Sequence, residues 1–167
     1  MQNLRYLGKL LVLSASMAIA GCGFQLRGSV DLPGLDTVRV TGAGASMREE
    51  LAVFLREGGV EVTEEVTSDA DAELALTDEQ MKRRVLSVDP STGKAREYEL
   101  AYSVDFQLVN AEGTALVRRQ TVRLVRDFVF DVDAVIGKSR EEGVLRAEMR
   151  RDAVQQIIRR LRSSLAE

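Results

Sequence analysis

The chain has 167 residues, 23 basic against 26 acidic, a formal net charge of −3, one cysteine, two prolines, no histidine and no tryptophan. One cysteine excludes an internal disulfide, and the absence of histidine excludes a Ser-His-Asp triad and any His-ligated metal. The overall acidity argues against nucleic acid as a partner, although the basic residues gather in the second half of the chain.

Residues 1–21 open with Arg5 and Lys9, followed by an apolar run from Leu10 to Ala20 broken only by Ser14 and Ser16. That run falls short of the ~20 apolar residues a spanning helix needs, and fits the core of a secretory signal. Ile19-Ala20-Gly21-Cys22 ends it and resembles a bacterial lipobox. The resemblance implies cleavage before Cys22, a diacylglyceryl group on its sulfur and an acyl chain on its new amine. Each buried CH₂ of such chains contributes ~0.8 kcal/mol to membrane anchoring. With Gly23 rather than Asp after the cysteine, the same resemblance implies delivery to the outer membrane, on its periplasmic face. Cleavage leaves 146 residues and takes the net charge from −3 to −5, because residues 1–21 carry two basic groups and no acid. That length suits one domain able to bury about two-thirds of its unfolded surface without metal or cross-link.

Residues 22–36 read as a lipidated tether, with Gly23, Gly28, Pro33 and Gly34 discouraging regular structure. Residues 37–167 then form a single domain. Thr37-Val38-Arg39-Val40-Thr41 alternates as a short strand. Gly42 and Gly44 mark a turn, Ser46 with Glu49 fits a capping box, and Met47, Leu51, Phe54 and Leu55 share one face of a helix ending at Gly58-Gly59. Val60, Val62 and Val66 suit an extended segment, and the pattern leaves open whether residues 60–66 join the sheet.

Leu74 to Val88 predicts a strand whose alternation slips near Glu79–Met81, the signature of a bulge. Asp89-Pro90-Ser91-Thr92-Gly93 is a turn. The next strand places Tyr98, Leu100, Tyr102, Val104, Phe106 and Leu108 on one face, with Glu97, Glu99, Ser103, Asp105 and Gln107 on the other. Asn110 to Gly113 turns the chain into a third long strand, Ala115 to about Phe130, with Leu116, Val122, Leu124, Phe128 and Phe130 on one parity. A long helix covers roughly Ser139 to Leu165, its apolar stripe running through Leu145, Met149, Val154, Ile157, Ile158, Leu161 and Leu165. The order predicts an α+β two-layer sandwich: two helices on one face of a mostly antiparallel sheet of about four strands.

No G-x-S-x-G elbow, P-loop or G-x-G-x-x-G is present, and the lone Cys lies at the mature terminus. The same-face pairs Glu97/Glu99 and Asp131/Asp133 resemble a glycosidase acid–base pair no more than they resemble charges on a wet sheet face. No catalytic residue, metal site or cofactor is expected, and the chain reads as a non-enzyme. What remains is surface. Lys82-Arg83-Arg84, Lys94, Arg96, Arg118-Arg119, Arg123 and Arg126 fall on the three long strands or their turn, where sequential pairing would gather them into one or two basic bands. Arg's planar fork suits bidentate phosphate contact, and the same charges also serve as ordinary edge protection.

Several motifs, in order, resemble the LptE family. They are the lipobox running into Cys22-Gly23-Phe24-Gln25-Leu26-Arg27-Gly28, the turn before Glu97-Tyr98-Glu99-Leu100, Arg126-Asp127-Phe128, and the closing helix Glu148 to Leu161. The resemblance implies a lipoprotein that plugs and helps assemble an LptD-like β-barrel and binds lipopolysaccharide during its insertion into the outer leaflet. It also implies a phosphate-binding role for basic residues at the turn before the Glu-Tyr pair, where Lys94 and Arg96 stand, and for Lys138 in the loop leading into the last helix. Asp89 departs from a purely basic turn. The alternative is a membrane-anchored periplasmic lipid carrier with no barrel partner, which would need an apolar cavity.

Overall fold

The computed structural model describes residues 32–63, 70–129 and 135–166, with 135–139 as backbone only. Cys22 and the lipobox, the expected strand end at Phe130, and the Asp131/Asp133 pair lie outside the described residues.

Five strands, β1 (Thr37–Gly42), β2 (Glu61–Thr63), β3 (Ala72–Val88), β4 (Ala95–Asn110) and β5 (Ala115–Val129), form one sheet in the order β2-β1-β3-β4-β5. The helices are α1 (Ala45–Glu57) and α2 (Val135–Leu165). The fifth strand beyond the expected four is β2, which pairs in parallel with β1 from Thr37↔Glu61 to Arg39↔Thr63. β1 also runs parallel to β3, while β3, β4 and β5 form an antiparallel meander.

Alternation decides which side is buried. Val38 and Val40 of β1, Leu74 and Leu76 of β3, and Leu100, Tyr102, Val104, Phe106 and Leu108 of β4 form one cluster with Met47, Leu51 and Leu55 of α1 and Met149, Val154, Ile157 and Leu161 of α2. Both helices therefore cover the same face, and the other sheet face meets solvent. Leu32 and Leu35 join this cluster too, so packing begins before the first strand.

Two bulges set the details. β3 carries one extra residue between the pairs Thr77↔Asp105 and Gln80↔Ser103, with Asp78 at φ +51°, a conformation Asp tolerates better than most residues. The slip turns Glu79 toward the helices. Its carboxylate accepts the Tyr102 hydroxyl at 2.8 Å and the Gly44 N–H at 2.6 Å. The expected Ser46 cap is replaced accordingly: Gly44 is the N-cap and makes no side-chain cap of its own, and a distant carboxylate binds the free amide instead. Burial first, then the bond to Glu79, pushes the Tyr102 phenol far up, which keeps it a neutral donor.

The second bulge corrects the parity expected for β5. Phe106 pairs with Gln120 but Leu108 pairs with Val117, so an extra residue sits at Arg118-Arg119 and the buried side shifts by one. Val117 is buried and Leu116 is exposed, the reverse of the even-parity expectation. α2 also starts earlier than the expected Ser139, placing Lys138 in its first turn rather than in a loop.

Candidate functional site

The three long strands do not gather their cations into a continuous band. A β-strand sends successive side chains to opposite faces, and the bulges redistribute them further. Arg83 and Arg126 lie on the helix side, opposite Leu100, and reach α2: Arg83 pairs with Glu142 at 3.0 Å and Arg126 with Asp152 at 2.9 Å. The Arg83 guanidinium also stands 4.8 Å over the Tyr98 ring, which stacks on Phe128. On the open face Arg84 pairs with Glu99 at 2.7 Å, and Arg119 binds Asp105 at 2.8 Å as well as Asp78. The Thr121 hydroxyl, aided by Arg119, holds the Asp105 carboxyl below its ordinary range. Arg83, Arg84, Arg119 and Arg126, four of the nine cations expected in the band, are thus neutralised by carboxylates of the same sheet or of α2.

Among the described residues, Lys82, Lys94, Arg96, Arg118 and Arg123 make no ion pair. Lys94 and Arg96 are exposed at the β3–β4 turn, where the sequence places them. The structure leaves both at that turn. It places Lys138 by backbone in the first turn of α2 and does not describe its side chain.

The turn itself is tightly built. Asp89 accepts from the Ser91 and Thr92 amides, each at 2.9 Å, and from both hydroxyls. The Ser91 hydroxyl and the Thr92 and Ser91 amides pull its carboxyl down to about 2. The Asp89 N–H donates to the Lys94 carbonyl at 2.7 Å, and the Gly93 N–H to the Asp89 carbonyl at 2.8 Å. The acidic residue that interrupts the basic turn therefore works as its internal brace, and Lys94 is presented from a rigid loop.

Beside this turn lies a feature the sequence pattern did not expose. Val85, Leu86, Val88 and Val129 are 43–56% exposed, although they sit on strands. A groove of about 250 Å³ opens there between Leu86, Glu97, Asp127, Phe128 and Val129, two of them acidic. The only available signal was Val85-Leu86-Ser87-Val88, where alternation gives way to a run of apolar residues at the end of β3. One end of the molecule thus combines unpaired cations with uncovered apolar side chains.

Among the described residues, no three His, Cys, Asp or Glu side chains are placed to hold a metal ion, and no helix is long and apolar enough to cross a membrane.

A family model described as LptE, lipopolysaccharide-assembly, matches residues 29–161. The "LPS-assembly lipoprotein LptE" of Photorhabdus laumondii is 29% identical over 155 residues, covering 91% of this chain and 83% of that protein. The protein of the same description from Pectobacterium atrosepticum is 28% identical over 155 residues, covering 90% and 83%. Among solved structures, lipoprotein B of Nitrosomonas europaea is similar with a TM-score of 0.68 at 32% identity, covering 82% of this chain and 88% of that one. Rare lipoprotein B of Shewanella oneidensis follows with a TM-score of 0.65 at 25% identity, covering 77% and 95%. A family model spanning most of the chain, with the two-layer fold shared by solved lipoproteins, places the chain in the LptE lipopolysaccharide-assembly family.

Proposed function

We propose that this chain is a non-catalytic subunit of an outer-membrane lipopolysaccharide translocon: a lipid-anchored wedge that plugs and helps assemble an LptD-like β-barrel and binds lipopolysaccharide in transit. The observation that carries the ligand half is the pairing of Lys94 and Arg96, both exposed and without ion pairs, with the uncovered Val85, Leu86, Val88 and Val129 at the same end of the sheet. Cations beside apolar surface suit a phosphorylated amphiphile. The guanidinium fork and the ammonium meet phosphate oxygens, while the valines and leucine meet the hydrocarbon that adjoins them. Lys138 completes the cationic set.

The plug half is supported by the open sheet face. Arg39, Glu73, Thr77, Gln80, Asp105, Thr121 and Arg123 make it polar, as the water-filled interior of a membrane barrel is polar. Acyl chains on Cys22 would hold the wedge at the periplasmic face of the outer membrane and raise its effective concentration at the barrel mouth.

The test is a lipopolysaccharide-binding assay on the lipidated chain in detergent, comparing wild type with Lys94→Glu/Arg96→Glu/Lys138→Glu. Loss of three charge-assisted contacts predicts at least about a hundredfold weaker binding with an unchanged melting profile. Unchanged binding would remove the ligand role and leave the plug.

A further inference from the structure

Among the described residues β5 ends the sheet and pairs only with β4. From Gln120 to Val129 its register against β4 is unbroken, Phe106↔Gln120 through Glu97↔Val129. The direction of its backbone groups follows from two hydrogen bonds. The Asn110 N–H donates across the hairpin to the Thr114 carbonyl, so even-numbered residues of β4 point toward β5. Their partners Gln120, Val122, Leu124, Arg126 and Phe128 are then the bonded positions, and the odd residues of β5 direct N–H and C=O outward. Arg160 of α2 agrees: its guanidinium donates to the Thr121 carbonyl at 2.8 Å from beyond the edge. Arg123, Val125, Asp127 and Val129 continue the outward row.

Edges of this kind are usually blunted by proline, a bulge or shortness. This ten-residue stretch has no proline and no register break, and its outward row carries Val125 and Val129 at 47% and 56% exposure. Left bare on an exported protein it would invite self-pairing. Its charge points to a complementary occupant: among the described residues Arg123, which lies near Asp105, and Arg118 at the bulge make no ion pair, whereas Arg126 is already held by Asp152 and Asp127 is the row's one acid.

We propose that the β5 edge docks an extended segment of the barrel partner by strand addition, with acidic residues of that segment facing Arg123 and apolar ones facing Val125 and Val129. Main-chain bonds to the outward row supply affinity, and the alternate side chains supply selectivity. This rests on the barrel reading above and adds to it the mode of contact.

The test uses the lipidated full chain co-expressed with the barrel. Val125→Pro deletes an outward N–H while leaving the ladder to β4 intact, so the protein should melt cooperatively like wild type. Barrel capture should fall about tenfold or more, the equivalent of one or two net hydrogen bonds, whereas Val125→Thr, which keeps the N–H, should capture normally. Val125→Pro capturing the barrel as well as wild type overturns strand addition and leaves the plug standing. A wild-type chain that captures no barrel overturns both. If Val125→Pro misfolds, amide exchange on the wild-type complex decides: slowing of the Arg123, Val125 and Asp127 amides by at least about tenfold supports the proposal, and unchanged exchange overturns it. Dimerisation of the free chain through β5 would assign the edge to a second copy and overturn it as well.

Discussion

Replacing Glu79 with Ala removes one carboxylate from two distant partners at once. Glu79 accepts the Gly44 N–H, which heads α1, and the Tyr102 hydroxyl, whose residue is 1% exposed. Losing an N-terminal cap costs about 1 kcal/mol, and leaving a buried hydroxyl unpartnered costs about 1–3 kcal/mol. The variant should therefore lose about 2–4 kcal/mol, which for a domain of this size lowers the melting midpoint by roughly 6–15 °C. With no tryptophan in the chain, the assay is urea and thermal unfolding followed by far-UV circular dichroism. Tyr102→Phe separates the two contributions. In that background Glu79→Ala should cost only the cap, about 1 kcal/mol, giving a coupling of about 1 kcal/mol or more. Equal losses in both backgrounds, or a loss under about 0.5 kcal/mol in the wild type, would refute the role given to this carboxylate.

Gly42→Ala should be severely destabilising, by about 3 kcal/mol or more, because φ is +72° and an added Cβ would meet the Leu76 carbonyl oxygen at 1.9 Å; near-wild-type unfolding would contradict the β1–β3 contact. Leu124→Pro removes an N–H bonded to β4 opposite Tyr102 and should cost about 3 kcal/mol, measurable in the same unfolding assay. The carboxyl of Asp89 has a folded value depressed to about 2, so its contribution to the turn is fully present above its ordinary value near 3.8 and is lost only as pH falls through about 2; a carbon-13 titration with a midpoint near 3.8 would show the brace is absent. Cys22→Ser should release the protein from membranes and abolish the mass increment of acylation, as fractionation with intact-mass analysis would show.

What could be read from the residues depended on how local the cause was. β4 is legible because its six inward residues alternate without interruption. The β3 slip near Glu79 was visible as broken alternation, but its purpose was not. Glu79 meets Gly44 35 positions away, a distance no periodicity encodes. The β5 bulge was hidden because it falls on Arg118-Arg119, two polar residues that look the same on either parity. For the same reason the cations seemed to form a band. Whether an arginine is available depends on a carboxylate brought from another element, as Asp152 is brought to Arg126. Lys94 and Arg96, singled out by the family resemblance, lie exposed at their turn and make no ion pair among the described residues. The short β2 remained open because three residues, half-buried at one edge, carry too little pattern to separate a strand from a loop.

The most direct measurement is purification of the lipidated chain from detergent-extracted outer membranes, followed by determination of what remains bound and in what ratio. A β-barrel protein recovered one-to-one with this chain is the predicted result. A lipid-loaded monomer with no integral partner would contradict it and favour an anchored carrier.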